Sequence, residues 1–341
     1  MKKSVLAAAA LLAASGAALA QSSVTLYGVV DLSVESVKGD DSVTRVTSSN
    51  YATSRLGFKG VEDLGGGLKA KFALESTVGA DVGSAGSGSR FWDRAAWVGL
   101  DTGYGNWSLG RIDSAIGLIA GNSAILGAQA YDDFKIAKTF AGDTYRRFDN
   151  AITYTLPTLV SGLTTQIQYT TRASGDESSA NDLGKGYSLN AQYAAGPFAL
   201  GAGYINVKAG ATGSYEDSAA LAYGSYDFGV AKVLGYYNVD SRSTFAEQKR
   251  LLGAKVWVPL ADQLTLMAGV SQVKNAAKSA GEDDATIVSL KLNYNLSKRT
   301  AVYGLLTTVD NDAGSNLGVA GVTTSAGENS SGLAVGIRHS F

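Results

Sequence analysis

The chain has 341 residues, among them no cysteine, one histidine, three prolines, 42 glycines and 17 tyrosines. A chain without cysteine excludes disulfide scaffolds, thiolate metal sites and thiol catalysis, and a single histidine excludes a two-histidine metal site. Lysine and arginine (29 residues) nearly balance aspartate and glutamate (30 residues), which argues against nucleic-acid binding. Abundant glycine and tyrosine with little proline favours many strands joined by tight turns.

The first twenty residues have the pattern of an export signal. Lys2 and Lys3 precede an apolar run over residues 5–14, and Ala18-Leu19-Ala20 fits a small-residue cleavage site. The apolar run is short for a membrane-spanning helix, which needs about 20 residues. We therefore expect residues 1–20 to be cleaved and residues 21–341 to form one mature domain. Removing two of the 29 positive residues leaves 27 against 30 negative ones, a net charge of −3.

Beyond residue 21, apolar and polar residues alternate with a period of two. In one run Val288, Leu290 and Leu292 alternate with Ser289 and Lys291, which makes one face apolar and the other polar. Sixteen such runs start near Val24, Tyr51, Leu68, Phe91, Asn106, Phe148, Leu163, Tyr187, Phe198, Ala219, Val230, Gln248, Leu264, Ala285, Thr300 and Gly332. Every second connection is short and the others are long and polar, as in outer-membrane barrels. The sequence thus predicts an all-β fold, a sixteen-stranded antiparallel transmembrane β-barrel with short periplasmic turns and long external loops.

Prolines and aromatic residues are expected to mark the short-turn end of this barrel. Proline cannot donate to a strand ladder, and Pro157, Pro197 and Pro259 all fall in predicted short turns outside the strands. Aromatic rings cluster at the same end, where an amphipathic ring is stable at the level of the lipid headgroups. The predicted girdle residues are Tyr104, Trp107, Tyr154, Tyr226, Trp257, Tyr294 and Phe341.

Six segments spread over the mature chain carry a family pattern. They are Val24-Thr-Leu-Tyr-Gly28, Ser54-Arg-Leu-Gly-Phe-Lys-Gly-Val-Glu-Asp63, Arg94-Ala-Ala-Trp-Val-Gly-Leu100, Leu109-Gly-Arg111, Arg147-Phe-Asp-Asn-Ala-Ile-Thr-Tyr154 and Gly336-Ile-Arg-His-Ser-Phe341. Together these segments resemble the Gram-negative general porins. The resemblance implies a homotrimer in the outer membrane whose water-filled channels pass ions and small hydrophilic solutes. It also implies that the terminal Phe341 is the membrane-insertion signal for the outer-membrane assembly machinery.

The longest connection, residues 114–146, contains an apolar tract at residues 116–126. Such a long loop is usually functional or disordered, and an apolar one is poorly solvated outside the barrel. The resemblance implies that it is the third loop, which folds into the barrel and narrows the channel; a mobile external loop is the alternative. Many relatives carry Pro-Glu-Phe-Gly-Gly here, whereas this chain has Ile125-Leu-Gly-Ala-Gln-Ala-Tyr-Asp-Asp133. The acidic residues of the loop therefore cannot be transferred one for one.

Strand parity and the resemblance together predict a basic pore wall. Parity sends Arg55 and Lys71 inwards, because their apolar neighbours belong on the lipid face. A lysine or arginine on that face at mid-bilayer costs about 2–4 kcal/mol. The resemblance places Arg94 and Arg147 on the same inner wall. Arg111 shares a face with apolar neighbours, so it is expected to point outwards as a subunit-contact residue.

The carboxylates expected to oppose this wall lie on the third loop. Asp132 and Asp133 are the first candidates and Asp143 the third. Opposed rows of charge would create a transverse field in the constriction that favours polar solutes. The alternative is that all these charges merely solvate a wet lumen.

Selectivity and partners follow less directly from the sequence. The resemblance to porins with basic walls implies a weak preference for anions, whereas the net charge of −3 argues weakly the other way. Acidic stretches near residues 176–177 and 282–284 lie in predicted external loops. There they would bind divalent ions next to lipopolysaccharide, or would simply be solvated.

Two other function classes compete with the channel. An outer-membrane barrel enzyme needs a nucleophile with a base. The single histidine, His339, is predicted on the lipid face near the C-terminus, which is a poor place for a base. We therefore expect no enzyme, and neither a cofactor nor a metal. An adhesin or secreted β protein would be a heat-labile soluble monomer rather than a detergent-dependent oligomer.

Overall fold

The computed structural model describes residues 23–124, 129–175, 177, 181–210, 213–245, 247–276 and 283–341. The expected signal peptide, residues 1–20, lies outside the described residues. The strands are β1 (Ser23–Lys38), β2 (Ser42–Ser48), β3 (Arg55–Gly65), β4 (Leu68–Gly79), β5 (Ser84–Ala85), β6 (Ala95–Thr102), β7 (Gly105–Asp113), β8 (Arg147–Thr155), β9 (Leu163–Thr170), β10 (Gly186–Ala195), β11 (Phe198–Ala209), β12 (Tyr215–Asp227), β13 (Lys232–Arg242), β14 (Lys249–Ala261), β15 (Leu264–Lys274), β16 (Ala285–Asn295), β17 (Thr300–Asn311) and β18 (Ser330–Ser340).

Among the described residues, the helical segments are few and short. They are α1 (Ala115–Ser123), α2 (Asp133–Ile136), a π-helical turn (Phe140–Thr144) and a 3-10 turn (Val319–Gly321). Within the described ranges, no helix is long and apolar enough to cross a membrane.

The strands of the described residues close into one antiparallel barrel in which chain neighbours pair. β1 closes the barrel with β18, from Val29 opposite Ser340 to Lys38 opposite Ser331. β2 and β3 share one position in the wall, because both pair with β1 and only residues 49–54 separate them. β5 is a two-residue strand that pairs with the end of β4. Sixteen wall positions result, as the sequence predicts.

Exposure alternates along the strands as the two-residue period requires. In β16, Val288 and Leu290 are 42% and 39% exposed, whereas Ser289 and Lys291 are 7% and 2% exposed. The apolar side chains face outwards, where lipid surrounds a transmembrane barrel, and the polar side chains face inwards. The low exposure of these inward residues shows that this part of the interior is filled by protein rather than by water.

Two of the residues predicted to mark the short-turn end of the barrel lie elsewhere than expected. Pro259 lies within β14 opposite Thr265, where the register with β15 shifts. Proline is tolerated there because a bulge needs no ladder donor. Trp257 does not belong to the outer girdle, since it has the same inward parity as Lys255 and packs against the buried interior. The Lys232 ammonium lies 5.5 Å from its ring centre.

Other aromatic residues form contacts on the outer face. Trp107 stacks on Tyr154 with ring centroids 4.4 Å apart, and Phe198 contacts Tyr226 edge-on at 4.6 Å. Such rings are stable where the apolar bilayer meets water.

The C-terminal residue closes the seam between the first and last strands. The backbone N–H groups of Phe341 and Gly28 each donate to the other's carbonyl at 3.1 Å. A Cβ on Gly28 would lie 2.4 Å from the Phe341 ring, so only glycine leaves room for it.

The described parts of the third loop, residues 114–124 and 129–146, fold into the barrel. Ser114 starts α1 by accepting a hydrogen bond from the Gly117 N–H at 3.0 Å. Ile116 and Ile119 of this helix are fully buried and share one apolar core with the inward-facing Ile205. Burying each such side chain contributes about 1.5–3 kcal/mol, which explains why this helix lies inside.

Candidate channel constriction

The third loop divides the interior of the barrel into two unequal parts. Its helical segments pack against the inner faces of β9 to β13. Asp133 and Tyr131 of the loop bind inward-facing side chains of β14 to β17. A cavity of about 230 Å³ lies on its other side, towards β4, β6 and β8. The cavity is lined by Thr53, Thr77, Ser87, Asp93, Arg94, Gln129, Lys135, Gly142, Asp143, Arg146 and Arg147. The channel therefore narrows between the loop and one arc of the wall.

Three of the predicted wall residues meet at this cavity. Arg94 and Arg147 line it directly. Arg94 Nε lies 2.5 Å from one oxygen of Glu75, and Arg55 Nε lies 3.5 Å from the other. Arg147 Nε lies 2.9 Å from Asp113. Each arginine is thus held by a carboxylate of the wall.

The structure does not bring Lys71 into this cluster. Its ammonium pairs with Asp101, near the short-turn end of the barrel. Lys71 is four residues from Glu75 along β4, which is about 13 Å of strand. Lys71 points inwards as predicted by parity, but parity gives no height along the channel axis.

The loop side of the cavity carries both signs of charge. Asp143, a predicted carboxylate, lines the cavity and pairs with Lys135. Arg146 lies beside them and binds Asp113 at 3.2 Å. Lys135 and Arg146 were missed by the sequence analysis, because strand parity does not apply in a loop. The adjacency of Arg146 to Arg147 was the one available signal.

Positive charge predominates among the described side chains that line the cavity. Four of them are cationic, namely Arg94, Lys135, Arg146 and Arg147, and two are anionic, namely Asp93 and Asp143. Asp93 is already engaged by the N–H and the hydroxyl of Thr77, each at 2.7 Å. A solute in the cavity therefore meets an excess of guanidinium and ammonium groups.

Asp132 and Asp133 lie elsewhere than expected. They are 2% and 4% exposed and point away from the arginines, towards the opposite wall. Asp133 binds the Lys255 ammonium at 2.8 Å and accepts hydrogen bonds from Tyr236 and Ser271. Asp132 caps α2 and lies 4.0 Å from the same ammonium. Both carboxylates anchor the loop instead of lining the opening.

The protonation of Asp133 follows from these contacts. Burial by itself raises the pKa of Asp133, but the Lys255 charge and hydrogen bonds from Lys255, Ser271 and Tyr236 outweigh burial. The pKa of this carboxyl is therefore held below its usual range. Asp133 and Lys255 form a buried ion pair.

Further polar side chains of the wall bind the backbone of the loop. Gln168 and Ser188 accept from the N–H groups at the start of α1, at 2.5 and 3.1 Å. Asp240 accepts from the Phe140 N–H at 2.9 Å. The polar inner face of these strands thus serves to hold the loop rather than to wet the lumen.

Comparisons with known proteins agree with this architecture. The family model described as Gram-negative porin matches residues 7–314. The chain belongs to the Gram-negative porin family. Over its full length it is 35% identical to the full length of outer membrane porin protein 32 of Delftia acidovorans. It is 28% identical to an outer membrane porin of Bordetella pertussis, over 89% of this chain and 93% of that one.

Solved structures share the fold. An anion-selective porin from Comamonas acidovorans is 29% identical, with a TM-score of 0.82 over 94% of this porin and all of that chain. OmpT of Vibrio cholerae, in a trimer form, is 17% identical, with a TM-score of 0.66 over 94% of this porin and 99% of OmpT. The porin is an integral protein of the bacterial outer membrane and forms a channel for passive diffusion of small hydrophilic solutes.

Arg111 and His339 are the two other residues that the sequence analysis singled out. The Arg111 side chain is 19% exposed and is held by its partners in the wall. Arg111 is opposite Ala96, pairs with Asp149 and donates to the Asp93 carbonyl at 2.6 Å. Its contact with another subunit stays a prediction. His339 is exposed, with Nδ1 2.9 Å from the Thr300 hydroxyl.

Proposed function

We propose that the porin conducts ions and small hydrophilic solutes with a weak preference for anions. The observation that carries this proposal is the excess of cationic side chains around the cavity, four against two carboxylates. The anion-selective relative from Comamonas acidovorans supports it. The net charge of −3 on the mature chain argues against an anion preference, but less strongly. Charges more than about 8 Å from the path of the ion are screened at physiological ionic strength.

The test is a measurement of the reversal potential across a planar bilayer under a tenfold gradient of KCl. At 0.1 M salt the screening length is about 10 Å, so charges of the lining still act on an ion in the channel. The double variant Arg94→Gln/Arg147→Gln is expected to move the anion-to-cation permeability ratio towards or past equality. Loss of two positive charges from the lining removes the attraction for chloride.

A matched control removes two positive charges elsewhere. Lys185 and Lys208 both pair with Asp182, and all three side chains are 41–50% exposed. Lys185→Gln/Lys208→Gln is expected to leave the reversal potential unchanged. If the arginine variant also shows the wild-type potential, the guanidiniums do not set selectivity.

Assembly and export belong to the same proposal. We infer a homotrimer, supported by the trimer form of OmpT, and cleavage of residues 1–20 after export. We also propose that Phe341 is read by the outer-membrane assembly machinery and that lipopolysaccharide surrounds the external loops. Deletion of Phe341 is the direct test, with outer-membrane yield as the measurement.

Catalysis is not part of the proposed function. The one histidine of the sequence, His339, is exposed on β18 and its ring contacts the Thr300 hydroxyl. A general base needs access to a nucleophile and a substrate.

A further inference from the structure

Four separate parts of the chain meet at one buried carboxylate. Glu35 of β1 is 1% exposed and accepts hydrogen bonds from Arg45 of β2 at 2.5 Å, Asn50 at 2.7 Å and the Tyr131 hydroxyl at 2.9 Å. Tyr131 belongs to the third loop. Burial and the charge of Glu35 raise the pKa of Tyr131, so its hydroxyl keeps the proton that it donates.

The same arginine continues to the last loop, residues 312–329. Arg45 Nη2 donates to the Ala320 carbonyl at 2.9 Å, and the Ala320 N–H donates to the Ala130 carbonyl at 3.1 Å. Val319 is fully buried in the same apolar core as Tyr131. We call Glu35, Arg45, Ala130, Tyr131 and Ala320 the clasp.

The clasp adjoins the cavity through one residue. Gln129 lines the cavity and accepts a hydrogen bond from the Thr53 hydroxyl at 2.9 Å. It directly precedes Ala130 in the chain. A displacement of Ala130 and Tyr131 away from Glu35 therefore moves Gln129 relative to the wall and changes the width of the opening.

We propose that the clasp fixes the third loop from the extracellular side and so sets the width and steadiness of the channel, with Arg45 as the positioning residue. In this proposal the last loop lies across the third loop and holds it in place. The proposal rests on the channel function of the porin but not on its anion preference.

Single-channel recording tests the clasp. Arg45→Gln removes the bonds to Glu35 and to Ala320, and Tyr131→Phe removes only the hydroxyl bond to Glu35. Both variants are expected to show a several-fold rise in the frequency of current flicker and closure at lower voltage. Arg45 is half-exposed, and the loop keeps its anchors at Lys255 and Asp240, so the barrel is expected to fold.

A reversible cross-link provides a second test of the clasp. Because the chain has no cysteine, Ala130→Cys/Ala320→Cys places one pair of thiols where the two backbones are hydrogen-bonded. In the Arg45→Gln background, oxidation is expected to restore the quiet wild-type current and a reductant to abolish the rescue. A merely structural role for Arg45 would not give a redox-dependent current.

The controls separate the possible outcomes. Lys185→Gln removes an exposed charge far from the clasp and is expected to record as wild type. Wild-type flicker and closing voltage in folded Arg45→Gln and Tyr131→Phe would overturn the proposal, as would failure of the thiols to cross-link. Flicker is measured separately from the reversal potential, so failure of the anion preference would not be mistaken for failure of the clasp.

Discussion

At the scale of single residues, the buried pair of Asp133 and Lys255 decides where the third loop lies. A buried ion pair contributes little compared with an apolar pair of the same shape, but removal of one partner leaves an uncompensated charge. Asp133 also accepts from Tyr236 and Ser271, so three inward side chains of the far wall converge on one loop carboxylate. Loss of this carboxylate is therefore expected to displace the loop.

Asp133→Asn is expected to lower the free energy of unfolding by about 3–5 kcal/mol, because Lys255 then stays buried without its carboxylate. Thermal or urea unfolding of the detergent-solubilised porin measures the change. Asp182→Asn is the control, since its exposed ion pairs are worth about 0–1 kcal/mol. Equal stability of the two variants would show that the Asp133 contact does not hold the loop.

The stabilisation that Asp133 contributes depends on pH, and the direction of the change follows from its pKa. The pKa of Asp133 is lowered in the folded porin, so its stabilisation is fully present above the unfolded pKa, which is about 3.9. It is lost only as pH falls through the lower folded value. The stability difference between wild type and Asp133→Asn is thus expected to be constant near neutral pH and to shrink below about pH 4.

Residue parity in strands was predictable from the sequence, and residue position in the loop was not. A period of two assigns Arg55 and Lys71 to the inner face, because charge on the lipid face is costly. Parity does not say which wall a 33-residue connection packs against. Asp132 and Asp133 therefore looked like pore carboxylates, although their partner Lys255 lies more than a hundred residues away in the chain.

At the scale of elements, the sixteen wall strands were predictable because alternation and turn length act locally. The differences between the predicted and the observed strands are local too. The break at residues 49–54 divides one wall position into β2 and β3, and the register shift near Pro259 admits a proline inside β14. Tertiary packing of the third loop decided its helices, whereas the inward position of Trp257 follows from its parity with Lys255 in β14.

Glycines beneath aromatic rings are a second element-scale feature that alternation does not reveal. A Cβ on Gly60 would lie 2.2 Å from the Phe72 ring on the neighbouring β4, and a Cβ on Gly201 would lie 2.3 Å from the Tyr223 ring. The ring of one strand thus covers the bare backbone of the next, which fixes their register.

Gly60→Ala is expected to destabilise the barrel by about 1–3 kcal/mol, because the methyl group displaces the Phe72 ring. Gly235→Ala is the matched control, since an added Cβ there meets nothing within 4 Å. Urea unfolding compares the two variants. A Gly60 variant as stable as the Gly235 variant would mean that the ring moves aside without cost.

At the scale of the whole molecule, the net charge of the chain and the net charge of the cavity lining have opposite signs. The whole chain has a net charge of −1, but the described lining of the cavity is net positive. Because an ion in the channel interacts with charges within about one screening length, the lining is expected to dominate.

Anion preference is therefore expected to weaken with salt. The screening length falls from about 30 Å at 0.01 M to about 3 Å at 1 M. Reversal potentials measured at one concentration ratio but rising absolute concentration of KCl should approach zero. A preference that is independent of concentration would point to a steric rather than an electrostatic origin.

The off-centre path of the channel has a practical consequence. Solutes pass along the arc formed by β4, β6 and β8, while the inner faces of the far strands are covered by the third loop. The barrel is thus divided into a transport arc and a supporting arc. Epitopes or sensor domains grafted onto external loops of the supporting arc would leave the current intact, and this makes the porin a usable display scaffold.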